Sequence, residues 1–368
     1  MSSPYVCKWG ILATGGIAAT FSKDLLVDPS TRGVSDVKHE VVAAASSSSA
    51  SRADDFLKEI GAGSSAKGYG SYEEMVRDPN VEIVYVATPH SHHYENALLC
   101  LEAGKHVCCE KPFTINAKQT QHLVEVAKQK NLFLMEAVWI RFFPIVKEIQ
   151  KRVHADRALG KIQRVFSDFG MPFKPDPKHR LFNPDLGGGA LLDLGIYALT
   201  WQMLILYQDP DNKGEEPAVT GSILKTPLTG VDEFTSITLN FAKLGAQGIA
   251  TTNMSVKSPS SYVVLVQGEK ADLTVPWAPY RPTSYTIHPK DDDGNWIEGK
   301  QEHKQFDIPG HGMFWEADAC ARALRDGEKQ STTCSLAEST LTMQIMDKVR
   351  YSNDFTYPQS IEAVRNDA

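Results

Sequence analysis

The sequence predicts an α/β Rossmann domain followed by an α+β C-terminal domain with an open, mostly antiparallel sheet. Three observations carry that expectation. Strand and helix patterns alternate through the first 137 residues. A glycine-bearing turn, residues 10–18, joins the first strand to the first helix. After about residue 140 the alternation gives way to short strands separated by tight turns. We expect a cofactor-binding domain over 1–138 and a substrate-binding and dimerisation domain over 139–368; 368 residues are more than one core usually holds.

In the first domain, residues 8–13 form a short apolar strand, and Ile17, Phe21 and Leu25 recur every fourth residue as one helix face. Residues 41–45 read as a second, buried strand. Ser51 and Asp54 have capping-box spacing ahead of the stripe Ala53, Phe56, Leu57 and Ile60. Residues 81–87 are a β-rich run, and Tyr94, Ala97, Leu98 and Leu101 make a helix face that Gly104 ends. Residues 106–109 form a fourth strand and 132–137 a fifth, with a helix between them that starts at Asn116 and Gln119 and carries Leu123 and Ala127. Strands separated by helices imply a parallel sheet with right-handed crossovers.

The second domain opens with a helix near 144–153 and a strand at 162–170. A polar, proline-rich loop, 172–185, leads to an apolar helix over about 190–207. Strand-like runs follow at 219–224, 236–241, 248–255, 262–268, 271–276 and 284–288, with turns short enough for hairpins. Helices near 312–326 and 336–351 come last, and 209–216 and 291–299 read as solvated loops.

Composition narrows the function. Apolar residues are 42% and charged residues 23%, an ordinary globular balance. The net charge of −7 and the lack of a dense basic run argue against a nucleic-acid partner. The first residues hold no apolar run of the secretory kind, and no later stretch reads as apolar enough to span a bilayer, so we expect no membrane association. Six scattered cysteines form no disulfide framework, which points to a reducing, cytoplasmic compartment.

The first strand-to-helix turn reads Gly10-Ile11-Leu12-Ala13-Thr14-Gly15-Gly16-Ile17-Ala18. A dinucleotide fingerprint places glycines here so that backbone amides at the helix N-terminus reach the pyrophosphate. Ala13 stands at the first glycine position and Ala18 at the third, while Gly15 keeps the position of closest approach. The second strand ends in Ala45-Ser46-Ser47-Ser48, without the acid that holds the ribose 2′-hydroxyl of NAD, and Arg52 follows. Hydroxyls with a guanidinium suit the 2′-phosphate of NADP. The bland alternative is a serine cap with Arg52 in solvent.

Thr88-Pro89-His90-Ser91-His92-His93 follows the third strand. No carboxylate or thiolate at a recognised spacing completes a ligand set, so we expect no metal; His93 would instead orient the nicotinamide region. Glu110-Lys111-Pro112 ends the fourth strand and directs a lysine into the crevice where such folds bind ligands. In the second domain, Gly187-Gly188-Gly189 precedes a helix in which Asp193 and Tyr197 share one face among Leu191, Leu192, Leu194, Ile196 and Leu199. A buried Asp needs a partner, and a carboxylate beside a phenol is either an acid/base pair or a structural hydrogen bond.

Taken in order, Ala13-Thr14-Gly15-Gly16-Ile17-Ala18, Thr88-Pro89-His90 with His93, Glu110-Lys111-Pro112, Glu136-Ala137-Val138-Trp139 with Arg141, and Gly188-Gly189 with Asp193, Gly195 and Tyr197 give a chain that resembles the glucose-fructose oxidoreductase / inositol dehydrogenase / rhizopine-catabolism (Gfo/Idh/MocA) family. Within it, the chain is most similar to the fungal NADP-dependent D-xylose 1-dehydrogenase and dimeric dihydrodiol dehydrogenase subgroups. The resemblance implies catalytic roles for Lys111, Asp193 and Tyr197. It implies NADP contacts from Thr14, Gly15, Gly16, Ile17, Ala18, Ser46, Ser47, Arg52, Thr88, Pro89, His90, His93, Glu110, Lys111, Trp139 and Arg141. Substrate contacts would come from Lys111, Arg141, Phe173, His179, Asp193 and Tyr197, and the open sheet would pair two copies as a homodimer. His90 stands where many members have Asn, and Tyr197 where many have His.

The implied reaction oxidises the anomeric carbon of a cyclic aldose such as D-xylose, with hydride passing to NADP. Tyr197 is the expected proton acceptor; its ordinary pKa of about 10 would be lowered by the Lys111 ammonium. Asp193 would accept a sugar hydroxyl hydrogen bond. The alternative makes Lys111 the base. A trans-dihydrodiol is the competing substrate, for which Phe142, Phe173, Trp277 and Tyr280 offer apolar walls, where a sugar would call on His179, Arg180 and Asn183. A non-catalytic NADP sensor is the competing class, which the presence of Lys111, Asp193 and Tyr197 disfavours.

Overall fold

Tyr5–Leu12 (β1) alternates exposed and buried side chains and then buries Trp9, Gly10, Ile11 and Leu12 in succession, as a central strand covered on both faces must. In the computed structural model, which describes residues 3–365, it is joined by β2 (Val37–Ala45), β3 (Lys67–Tyr69), β4 (Ile83–Val86), β5 (His106–Glu110) and β6 (Leu134–Ala137). These strands form one parallel sheet of order β3-β2-β1-β4-β5-β6. The order reverses between β1 and β4, the place where open parallel sheets bind ligands. The crossovers are α1 (Gly16–Leu25), α2 (Ala50–Ile60), α3 (Tyr72–Val76), α4 (His93–Glu102) and α5 (Ala117–Gln129). One face of the sheet buries Val84, Val86, Val107 and Leu134 against Ala97, Leu98, Leu101 and Leu123. β3 and α3 were not anticipated; at three and five residues they are too short to carry a period.

The chain separates into two units, and their boundaries correct the expected division at 138. Unit 1 runs to Phe142 and also takes in Ile308–Thr340 and the residues from Ile361 onward. The reason is burial. Helix Phe314–Arg325 packs on α1, β1 and β2 and buries Phe314, Ala317, Cys320 and Ala321. Asp24 of α1 accepts hydrogen bonds from the amides of His311 (2.8 Å), Gly312 (2.7 Å) and Met313 (2.7 Å). The buried Asp318 carboxylate takes two bonds from Arg32 and one contact from His39, each 2.8 Å.

Unit 2 comprises Phe143–Asp307 and Leu341–Ser360. Its strands are β7 (Ile162–Gly170), β8 (Ala218–Lys225), β9 (Asp232–Phe241), β10 (Ala246–Asn253), β11 (Val264–Gly268), β12 (Ala271–Val275), β13 (Ser284–Pro289) and β14 (Glu302–Gln305). Their order is β14-β13-β12-β11-β7-β10-β9-β8, and among the described residues only β7 and β10 run parallel. The helical run 191–207 covers one face. It is built from a π segment (Leu191–Gly195), an α segment (Ile196–Gln202) and a second π segment (Met203–Tyr207). Gln202 ties it to the sheet, donating to Ser167 Oγ at 2.7 Å and Ile249 O at 3.2 Å.

That run corrects another expectation. Pro184–Tyr207 is long and apolar enough by composition to cross a membrane, but its apolar window is wholly buried inside the protein. It is the core helix of unit 2, apolar on every side because every side is packed.

Candidate active site

In unit 1 the turn after β1 places Ala13 at φ +86°, a left-handed conformation that glycine adopts without cost, and ties its amide to Ala45 O at 3.1 Å. Gly15 is the N-cap of α1 and offers no side-chain cap. A Cβ added at Gly15 or Gly16 would meet no atom within 4 Å, and Gly15, Gly16 and Ile17 are exposed, so the start of α1 is open. That space and the positive end of the helix fit a pyrophosphate. Thr14 is half-buried in the same turn, and Ala18 is fully buried against the sheet.

At the end of β2, Ser46 is buried and shares a 2.9 Å hydrogen bond with Ser48 Oγ. Ser47 and Arg52 are exposed. The cap of α2 is Ser49, whose Oγ accepts the Arg52 amide at 3.2 Å. This corrects the expected pair Ser51 and Asp54: Asp54 instead accepts the amide of Gly68 at 3.1 Å and joins α2 to β3. Capping therefore uses Ser49 and leaves the Ser47 hydroxyl and the Arg52 guanidinium at the surface, where a phosphate can meet them.

The Lys111-Pro112-Phe113 turn is held by three buried side chains. Glu110 accepts the Lys111 amide at 3.1 Å, and Tyr85 Oη donates to the same carboxylate. Glu136 accepts the Phe113 amide at 3.0 Å, and Ser339 Oγ donates to its other oxygen at 2.6 Å. The His93 ring lies 2.8 Å from both Pro112 O and Thr88 O, bridging the turns after β4 and β5. Burial pushes the His93 pKa down to about 3, against the opposing pull of the two carbonyls. Burial also raises the Glu136 carboxyl above its ordinary range.

His90 is buried with its ring centroid 5.8 Å from that of His93, whereas His92 is exposed and bonds Ser91. Among the described residues no group of three or more His, Cys, Asp or Glu is arranged to hold a metal. Trp139 stacks on His311 at 5.8 Å. Arg141 is buried, and its guanidinium bonds Glu338 at 2.9 Å, which anchors it within unit 1.

In unit 2, Asp193 is buried, and Arg180 donates to both its oxygens, at 3.0 and 3.1 Å. Tyr197 lies on the same helical run, and the π turn brings positions four apart closer to alignment than an α turn does. Its ring centroid is 5.9 Å from those of Phe169 and Tyr280, and Phe169 lies 5.6 Å from Trp277. Phe173 and His179 pack together at 5.9 Å on the 172–185 loop.

A parallel sheet with an open glycine turn at the head of its first crossover is the arrangement that dinucleotide-binding folds use. Residues 8–138 match a family model described as an oxidoreductase family with an NAD-binding Rossmann fold, and 148–274 match the GFO/IDH/MocA C-terminal domain. The chain belongs to the GFO/IDH/MocA oxidoreductases. It is 46% identical to the D-xylose 1-dehydrogenase (NADP(+)) of Hypocrea jecorina, over 98% of this chain and 95% of that one. It is 35% identical to the trans-1,2-dihydrobenzene-1,2-diol dehydrogenase of Sus scrofa, over 96% and 98%. Among solved structures, a 3-ketoreductase from Actinomadura kijaniata in complex with NADP and TDP-benzene shares the fold, with a TM-score of 0.78 at 23% identity over 95% and 98%.

In this GFO/IDH/MocA member, Lys111 belongs to unit 1, and Asp193 and Tyr197 belong to unit 2. Two contacts around the candidate residues escape the sequence. The sequence suggests Arg180 as a sugar contact on the 172–185 loop; its pairing with Asp193, 13 residues away, has no local signature. Glu136 was legible only as part of a motif; the signal for its role is a carboxylate at the end of a buried strand, where it must find donors.

Proposed function

We propose that the chain is an NADP-dependent D-xylose 1-dehydrogenase, oxidising the anomeric carbon of the cyclic sugar to D-xylonolactone. The observation that carries the reading is the buried helix of unit 2, where a carboxylate clamped by Arg180 shares one helical face with the Tyr197 phenol. Identity of 46% to a D-xylose 1-dehydrogenase supports the choice of sugar. The acid-free end of β2, with Ser47 and Arg52 exposed, supports NADP over NAD.

Thr14, Gly15, Gly16, Ile17 and Ala18 would hold the pyrophosphate, and Ser46, Ser47 and Arg52 the 2′-phosphate. The turns that carry Thr88, Pro89, His90 and Lys111, stitched together by His93, would receive the nicotinamide, with Trp139 on their border. NADP, when bound, supplies the acceptor for the hydride leaving C1. Tyr197 Oη takes the proton of the C1 hydroxyl as the C1–O bond becomes a carbonyl. Lys111, on the turn after β5 in unit 1, is the other proposed catalytic residue. Asp193 orients a second sugar hydroxyl, and Phe173 and His179 offer a partly exposed wall. Tyr197→Phe tests the assignment. Turnover should fall by about 10²–10⁴-fold with NADP affinity intact, the range for loss of a general base; an unchanged rate would pass the role to Lys111.

A second reading is favoured by one feature. The rings of Phe169, Trp277 and Tyr280 around Tyr197 suit an aromatic trans-dihydrodiol. We also infer a homodimer. Ile249, Phe166 and Leu265 lie side by side across three strands of unit 2 and stay partly exposed on the face opposite the helical run. A Phe166→Glu variant that sediments as a monomer, from a dimeric parent, is the expected result. The six buried, unpaired cysteines support a cytoplasmic location.

A further inference from the structure

Asp232 opens β9 and is fully buried. Its Oδ2 accepts the amide of Leu191 at 2.6 Å and the hydroxyl of Thr235 at 2.9 Å. Among the described residues its Oδ1 has no hydrogen-bond partner, and it lies against Gly189, where a Cβ would come within 1.9 Å of it. Gly189 itself sits at φ +117°, with its amide on Leu181 O at 2.8 Å. The glycine therefore serves two needs: a backbone conformation side chains avoid, and room for a carboxyl from a distant strand.

Leu191 is the first residue of the π segment and stands two positions before Asp193. The segment has no side-chain cap of its own. A helix start without a local cap needs an acceptor from elsewhere, and Asp232 provides it. We propose that Asp232 is a positioning residue for the reaction: through Leu191 N and the space left by Gly189, it fixes the seat of the helix that carries Asp193 and Tyr197.

The inference rests on Asp193 and Tyr197 serving the reaction. Burial pushes the Asp232 carboxyl up to about 7, against the pull of its donors and of Arg350 on helix Leu336–Ser352. Below about pH 7 an uncharged acceptor therefore meets the need of Leu191. This separates the conservative variants. Asp232→Asn keeps an oxygen in place and loses the charge. Asp232→Glu keeps the charge but displaces the oxygens into the space Gly189 leaves.

The test compares Asp232→Ala, Asp232→Asn and Asp232→Glu in the full-length protein by hydrogen exchange of the 191–197 amides and by turnover of D-xylose with NADP. Ala and Glu should speed exchange and lower kcat, each by about tenfold, the worth of one strong hydrogen bond, with NADP affinity unchanged. Asn should restore both to within about threefold of the parent. Unchanged exchange in the Ala variant, or an Asn variant as damaged as Glu, overturns the proposal. If Ala does not fold, the Asn and Glu pair decides by the same criterion. A parent inactive on sugar and diol alike sinks the catalytic reading, and the exchange data then decide the seating of the helix by themselves.

Discussion

Arg180 grips Asp193 through two parallel hydrogen bonds, Nη1 to Oδ1 at 3.0 Å and Nη2 to Oδ2 at 3.1 Å. The carboxylate is buried and the arginine half-exposed, so the pair is a charged group of the core reached by a cation from a surface loop. Removing the arginine leaves a buried charge short of its bidentate partner. Arg180→Ala should lower kcat/KM for the substrate by about 10- to 100-fold, with NADP affinity unchanged, since charge-assisted bonds contribute about 1.5–3 kcal/mol. Arg180→Lys should recover only part of the loss, because a point charge cannot make the fork. Steady-state kinetics on the two variants check this.

Arg52 governs cofactor choice in this account. Its side chain is exposed on the first turn of α2 while Ser49 does the capping. Arg52→Ala should weaken NADP binding by about 10- to 100-fold and leave NAD binding as it was, because only the 2′-phosphate is lost as a partner. Fluorescence titration with each nucleotide measures it. Equal weakening of both would contradict the assignment.

Ala13 carries strain that its neighbours impose. At φ +86° a methyl group is out of place, and glycine is the residue the turn prefers. Ala13→Gly should raise the stability of the protein by about 0.5–1 kcal/mol, the left-handed penalty less the extra chain entropy of glycine. Thermal unfolding checks the sign; a fall in midpoint would mean that the methyl is packed productively.

Two buried groups give opposite pH dependences. His93 has its pKa lowered from 6.5 to about 3, so the unfolded chain binds the proton first as pH falls. Stability tied to His93 is full above pH 6.5 and is lost between there and about 3. Asp232 has its pKa raised from 3.8 to about 7, so the folded chain holds the proton longer, and stability tied to it falls as pH rises through that interval. Denaturant unfolding across pH should show His93→Asn flattening the acid limb and Asp232→Asn flattening the neutral one.

The sheet of unit 1 was legible because β1, β2, β4, β5 and β6 each hold a fully buried run and the longer helices carry a stripe; Val84 and Leu98 sit where the pattern put them. Boundaries blurred at Ser51 because a serine run offers several caps, and the one used, Ser49, is chosen by where the chain leaves β2. β14 went unseen since Glu302–Gln305 is an exposed edge strand of polar residues with no face to alternate. The return of Phe314–Arg325 to unit 1 was invisible for a different reason. Its contacts with Asp24, Arg32 and His39 span nearly 300 residues, and no local period encodes them. The same holds for the candidate residues: Lys111, Asp193 and Tyr197 stand in recognisable motifs, whereas Arg180, Glu136 and Asp232 bond Asp193, Phe113 and Leu191, which lie 13 to 41 residues away.

The purified protein mixed with NADP and D-xylose, followed by the absorbance of the reduced nicotinamide with NAD and a trans-dihydrodiol as parallel arms, separates sugar oxidation from its alternatives. Steady NADPH formation from D-xylose, much slower reduction of NAD, and loss of the signal in Tyr197→Phe are expected. Reduction with the diol alone would keep the fold and the helix pair but reassign the substrate. Tight NADP binding without turnover of either compound would contradict the account.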